Sequence, residues 1–159
     1  RAYELGCDIQ NHSKTHSDFT KLTPDEMLEE INFTSDKIEE IIGVRPQYFR
    51  PPYIAINDEM FKTIELPFIS GIGANDWEDS VSAETRIEKI VSQSSDGAII
   101  LLHDSQGNSK TVEAIDTIIP ELISQGYQFV TISELFEAKG IDGMENRFVF
   151  SNVLQTNMY

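Results

Sequence analysis

Short apolar runs alternate with amphipathic stretches along all 159 residues, and the two periodicities predict different elements. The segment TPDEMLEEINFTSDKIEEIIG is the clearest helix, because Met27, Leu28, Ile31, Ile38, Ile41 and Ile42 mostly follow helical spacing. Thr23 is its expected N-cap, Pro24 its first residue, Glu26 the capping-box carboxylate and Gly43 its stop. YELGCDI reads as a helix end or turn feeding a short strand. QYFRPPY is extended, since a proline biases the residue before it away from the helical region. NDEMFKTIE predicts a short helix, PFISGIGANDW a strand running into a loop, and SAETRIEKIVSQSS a helix. GAIILLHD carries the unbroken apolar run of a strand buried on both faces. TVEAIDTIIPELISQG predicts a helix ending at Gly126, with Pro120 marking a kink or restart. YQFVTI reads as a strand and SELFEAKG as a helix capped by Ser133. Periodicity is weak beyond Gly140, and residues 141–159 are expected to form a C-terminal extension packed over the outside of the domain.

Strand and helix in alternation point to an α/β fold with a parallel sheet or barrel. That class places its chemistry at the C-terminal ends of strands. No repeat, low-complexity tract or linker divides the chain, so residues 1–159 read as one domain. The net charge of −15, with only 12 Lys and Arg scattered through the sequence, changes the list of partners. Nucleic acid requires clustered cations to neutralise phosphates, and anionic membrane surfaces or polyanionic substrates are disfavoured for the same reason. A neutral polymer, a small molecule or a protein partner remains. No apolar run reaches the ~20 residues of a membrane span. Cys7 is the one cysteine, so no intrachain disulfide exists, and it is expected to be a small buried hydrophobe beside Leu5 and Ile9. The sequence opens on RAYELG, without methionine and inside what reads as an element, so a preceding segment is expected.

Four stretches carry candidate chemistry at predicted strand ends. NHSKTH holds two of the three histidines, His12 and His16. At i and i+4 they project the same way if the segment makes one helical turn, and can close on one metal; zinc suits nitrogen donors. His-x-x-x-His alone is a weak pattern, and surface or capping histidines are its commoner meaning. FRPPY rigidifies its backbone and presents Arg50 and Tyr53 in fixed geometry, either as a site or as a rigid surface turn. GANDW places Asp76 and Trp77 after an apolar run; a lone Trp is as readily core as site. IILLHD puts His103 directly after a buried strand, as an acid/base or as a satisfied structural histidine. Taken together, every histidine lies at a predicted strand end or in the loop after it.

NHSKTHSDFTKLT, RPQYFRPPY, GANDW and GAIILLHD, in this order and at these spacings, resemble the polysaccharide deacetylases. This is the NodB-like group, or carbohydrate esterase family 4. The resemblance covers nearly all of residues 4–137 and includes EAIDTIIPELISQGYQFVTISELF as the usual last helix, strand and helix. ANDW and IILLHD look most similar to the acetylxylan esterases of cellulose-degrading clostridia. The resemblance implies a distorted (β/α) barrel and a hydrolase that removes acetyl groups from a polysaccharide. Acetylated xylan leads as substrate, met outside the cell by a secreted enzyme. It implies that His12 and His16 bind a divalent ion, zinc or cobalt, that polarises the acetyl carbonyl and acidifies a bound water toward ~7. It gives the Tyr53 backbone N–H to the oxyanion hole, His103 the role of general acid, Leu101 the lining of the acetyl-methyl pocket and Trp77 the wall of the cleft. Asp76 is the candidate carboxylate supporting the His103 imidazolium.

Two departures from the family pattern stand out. Many members carry Asp-x-x-Asp-Trp, and the first Asp of that pattern falls on Gly73, so Asp76 tunes His103 alone or not at all. The family's Thr-Phe-Asp-Asp, which supplies the base and the third metal ligand, occurs nowhere in the 159 residues. Arg50, which the resemblance assigns to orienting the base, then lacks its carboxylate. The sequence is therefore expected to be an N-terminally incomplete deacetylase domain lacking its first strand or strands. A second chain or fragment is expected to carry the Asp-Asp motif, and the isolated chain is expected to be inactive. Two rival functions accompany this reading: N-deacetylation of chitin oligomers or peptidoglycan, and a non-catalytic carbohydrate-binding remnant.

Overall fold

A computed structural model describes residues 1–144 and 148–156 of the chain. The backbone gathers into two compact units. Of the described residues, one comprises 1–70, 140–144, 148–150 and 156, the other 71–139 and 151–155.

In the first unit, helix α1 spans Pro24–Ile42 and opens as the sequence predicts. The Thr23 side chain caps the Glu26 N–H, the Glu26 carboxylate returns to the Thr23 N–H at 2.8 Å, and Gly43 ends the helix at φ 75°. That left-handed conformation costs a glycine little. Met27, Ile31 and Ser35 face inward, whereas Leu28 and Ile41 of the apolar pattern are exposed. Helix α2, Asp58–Thr63, buries Met60. Strand β1, Phe68–Ile69, pairs in parallel with β2, Val149–Phe150, in the register Phe68–Val149. Phe49 bridges both Asn11 and Phe68, again in parallel. The core is largely aromatic: Phe49 is fully buried, with its ring 5.0 Å from Phe19 and 5.6 Å from Phe68. Burial of each such side chain contributes about 1.5–3 kcal/mol.

The extension is more than an outer cover. Val149 and Phe150 are buried, and Val149 belongs to the same core as Phe49 and Met27. The parts of the extension at 145–147 and 157–159 lie outside the described residues. Cys7 and Leu5 are exposed, against the expectation of burial, because the turn at Tyr3–Leu5 buries none of its residues.

In the second unit, α3 (Ala83–Gln93) packs on α4 (Ser109–Ser124). Ala83 and Ile90 meet Ala114, Ile118 and Leu122 in one apolar cluster, joined by Ile100 and Leu102. Pro120 lies within α4 without ending it. Gly71 permits a close approach, since a Cβ there would stand 2.8 Å from Ile99 O and 2.8 Å from Leu101 Cβ. Ile72 and Ile100 then pair in parallel. Helix α5, Ile132–Lys139, begins one residue before Ser133. Thr131 forms the capping box instead: its hydroxyl accepts from Glu134 N and its N–H donates to the Glu134 carboxylate. YQFVTI, read as a strand, forms no ladder among the described residues: its last residue, Ile132, opens α5, and Phe129 and Val130 are exposed.

Candidate active site

His12 and His16 do converge, but not through a helical turn. Ser13 at φ 76° and His16 at φ 59° adopt left-handed backbone and fold the segment into a tight turn. The ring centroids stand 5.0 Å apart, edge to face. Four hydrogen bonds hold the turn. Buried Asn11 accepts from Ser13 N–H at 2.8 Å, the Ser13 hydroxyl accepts from His16 N–H at 2.9 Å, and Glu30 of α1 accepts from the N–H groups of Lys14 and Thr15. Asn11 is itself fixed by donating to Ile31 O and Ser35 Oγ. His12 Nδ1 donates to Arg50 O at 2.6 Å. A carbonyl can only accept, so Nδ1 carries the proton and the neutral ring keeps its lone pair on Nε2, the form a metal ligand requires.

Arg50 thus serves the first unit through its backbone, its N–H donating to Asn11 O. Tyr53 follows the two prolines at φ 60°, ψ 4° and is exposed. Its ring lies 4.8 Å from that of His16. The turn's backbone bonds run from Ile54 to Pro51 and from Ala55 to Pro52. Two converging imidazoles, that of His12 with a fixed tautomer, fit part of a divalent-ion site. Among the described residues no group of three His, Cys, Asp or Glu side chains comes together for a metal.

In the second unit, the Asp76 side chain is fully buried and meets His103 twice. Asp76 Oδ1 accepts from His103 Nδ1 at 2.8 Å and Oδ2 from the His103 backbone N–H at 2.6 Å. Thr111 Oγ1 and Asn108 Nδ2 also donate to Oδ2, at 3.0 and 3.3 Å. Burial by itself pushes the Asp76 carboxyl up, but the hydrogen bonds from His103 and Thr111 outweigh it and hold the group below its ordinary value. Asp76 is therefore an ionised acceptor, which places a proton on His103 Nδ1. Gly73, at the family's other acidic position, adds no carboxylate.

Trp77 is not core: it is 59% exposed, with its ring edge-on to His103 at 5.5 Å. Leu101 N–H donates to Ile72 O. Ile100 and Leu102 pack into the helical cluster, so alternation turns Leu101 and His103 to the opposite side. The structure therefore gathers Asp76, Trp77 and His103 in one unit and His12, His16, Arg50 and Tyr53 in the other. Sequence reasoning missed Asn11, Glu30, Arg86, Asn108 and Thr111. Arg86 alone left a signal, a charge on the helical spacing that joins buried Ala83 to Ile90.

The polysaccharide deacetylase family profile matches residues 1–66. A bifunctional xylanase/deacetylase of Pseudobutyrivibrio xylanivorans is 47% identical over 153 residues, 96% of this chain and 25% of that protein. The Xyl-CE4 domain of a multidomain xylanase from the hindgut metagenome of Trinervitermes trinervoides matches with a TM-score of 0.92 at 44% identity, covering 95% of this chain and 74% of that one. A family 4 acetyl xylan esterase from Clostridium thermocellum, solved with a cobalt ion, matches with a TM-score of 0.91 at 37% identity, covering 96% and 76%. The chain belongs to the polysaccharide deacetylase family, carbohydrate esterase family 4, and its fold class is the (β/α) barrel type of those domains. It spans about a quarter of the length of the curated relatives it matches first.

Proposed function

We propose that the protein to which this chain belongs hydrolyses acetyl esters on a neutral polysaccharide, acetylated xylan above all, with the help of a divalent metal ion. The observation that carries this reading is the buried, doubly hydrogen-bonded Asp76–His103 pair in a chain 37% identical to an acetyl xylan esterase. Two features support a neutral substrate: the net charge of −15, and relatives that act in xylan breakdown by their names. A polymeric substrate of this kind places the enzyme outside the cell.

Within the first unit, His12 through Nε2 and His16 are the residues that would hold the ion, zinc or cobalt. Bound there, it would polarise the acetyl carbonyl and acidify water. Tyr53 offers its backbone N–H to the oxygen that becomes negative as the carbonyl is attacked, on a backbone set by two prolines. The Arg50 guanidinium is assigned to the base carboxylate, and its carbonyl keeps His12 in the right tautomer. Within the second unit, His103 gives the Nε2 proton to the sugar oxygen as its bond to the acetyl carbon breaks, so that it departs as a hydroxyl. Asp76 stabilises the imidazolium that precedes this step and keeps the ring oriented. Leu101 lines the acetyl-methyl pocket and Trp77 offers an exposed face to a sugar ring. The base and third ligand are supplied, in this proposal, by a segment or chain other than these 159 residues.

The test is acetate release by the full-length protein from acetylated xylan and from N-acetylated chitin oligomers. Release from xylan that a chelator stops and cobalt or zinc restores supports the proposal. Release from the chitin oligomers alone replaces ester with amide chemistry. Binding to xylan with no acetate released from any substrate makes the protein a carbohydrate-binding module.

A further inference from the structure

Behind Asp76 and His103 lies a buried cation with no catalytic role in the reading above. Arg86 of α3 is 1% exposed, yet among the described residues its guanidinium bonds to no carboxylate. Nε donates to Val81 O at 3.2 Å and Nη2 to Glu78 O at 3.1 Å. Nη1 donates to Thr111 Oγ1 at 2.7 Å and to Asn108 Oδ1 at 2.5 Å. A buried charge is expensive where apolar packing between Ala83 and Ile90 would have sufficed.

The direction of these bonds gives the arginine its use. A guanidinium only donates, so Thr111 and Asn108 can meet it only with their oxygens. Their protons are thereby turned the other way. The Thr111 hydroxyl donates to Asp76 Oδ2, and Asn108 Nδ2 donates to Asp76 Oδ2 and, at 2.8 Å, to His103 O. Without Arg86, nothing fixes the oxygens of Thr111 and Asn108, and the hydroxyl can rotate and the amide turn its donors toward other acceptors.

We propose that Arg86 is a positioning residue for the acid: by occupying the acceptor sides of Thr111 and Asn108 it commits their donors to Asp76, which keeps the carboxylate in register with His103 Nδ1. The inference rests on the deacetylase reading for its kinetic consequence only. A purely structural arginine, tying α3 to the 78–81 turn, would affect folding and leave the imidazole alone.

The full-length protein labelled with 15N-histidine separates these roles, because ring 15N shifts report which nitrogen carries the proton. Wild type, Arg86→Lys, Arg86→Met and Thr111→Val are compared at a pH where the imidazoles are neutral, with His103 assigned by its loss in His103→Gln. The expected result is an Nδ1–H tautomer in wild type. In Thr111→Val and Arg86→Met the population moves toward Nε2–H, with Arg86→Lys between them. On acetylated xylan, kcat falls about 10–100-fold, the range seen when a metal-bound histidine loses its outer partner, with KM within about twofold. Folded Thr111→Val and Arg86→Lys proteins that keep the wild-type tautomer and kcat overturn the proposal. Wild type that releases no acetate but shows the tautomer shifts upholds the positioning role and overturns the deacetylase reading.

Discussion

The two histidine regions are finished to different degrees. His103, its carboxylate Asp76 and the donors that hold Asp76 all come from residues 76–111, and each hydrogen bond of the network is made inside the second unit. His12 and His16 are as firmly placed, by Asn11, Ser13, Glu30 and the Arg50 carbonyl, but every one of those contacts orients a donor and none completes a ligand set. An acid needs a few fixed dipoles close by, which one loop and one helix face supply. A metal site draws its ligands from several strand ends, so it depends on more of the chain.

The largest effects should separate the two regions. His103→Ala is expected to cut acetate release by about 10²–10⁴-fold while leaving zinc or cobalt affinity within about twofold. His12→Ala and His16→Ala should abolish tight metal binding in the full-length protein, read by calorimetry, and activity with it. A His103→Ala protein that loses its metal would erase the distinction.

Asp76→Asn should rank next, and it has a signature in acid. The folded carboxyl sits below its ordinary 3.8, so ionised Asp76 stabilises the fold above the unfolded value, and that stability is lost as pH falls through the folded one. Denaturation followed from pH 6 to pH 2 should therefore show a shallower acid limb in Asp76→Asn than in wild type, besides its loss of activity. Equal limbs would mean that Asp76 is not held ionised. Thr23→Ala removes the cap of α1, the helix whose Glu30 and Ile31 hold the His12 turn, and should cost about 1 kcal/mol of stability, read by thermal unfolding. Tyr53→Gly should be smallest, a gain of no more than about 1 kcal/mol by thermal unfolding as the left-handed backbone relaxes. Because glycine keeps the N–H, activity on a small acetyl ester should persist. Its loss would give the Tyr53 ring, rather than its backbone, the part in catalysis.

What could be read in the sequence follows the range of the forces involved. The α1 cap needs Thr23, Pro24 and Glu26, three neighbours that fix one another, and it forms as expected. The helices at 58–63, 83–93 and 109–124 were legible from their apolar spacing, which is equally local. YQFVTI has the composition of a strand, but a strand exists only through a neighbour, and none pairs with it among the described residues. Val149–Phe150 shows the converse: two residues in a weakly patterned tail become a strand because β1 lies beside them. His12, His16, Asp76 and His103 were legible as residue types at strand ends. The left-handed turn that joins the first two, and the hydroxyl and amide that orient the third, were not. Ser13, Thr111 and Asn108 are ordinary polar residues until the fold brings a donor or acceptor within 3 Å or so.

The most direct test of the division of labour is metal add-back. Metal-free full-length wild type, His16→Ala and His103→Ala are titrated with cobalt while acetate release from acetylated xylan and cobalt binding are followed together. Wild type should recover activity in step with binding, His16→Ala should show neither, and His103→Ala should bind cobalt yet stay at least about a hundredfold slower. Full acetate release by metal-free protein, or by His16→Ala, would contradict the account.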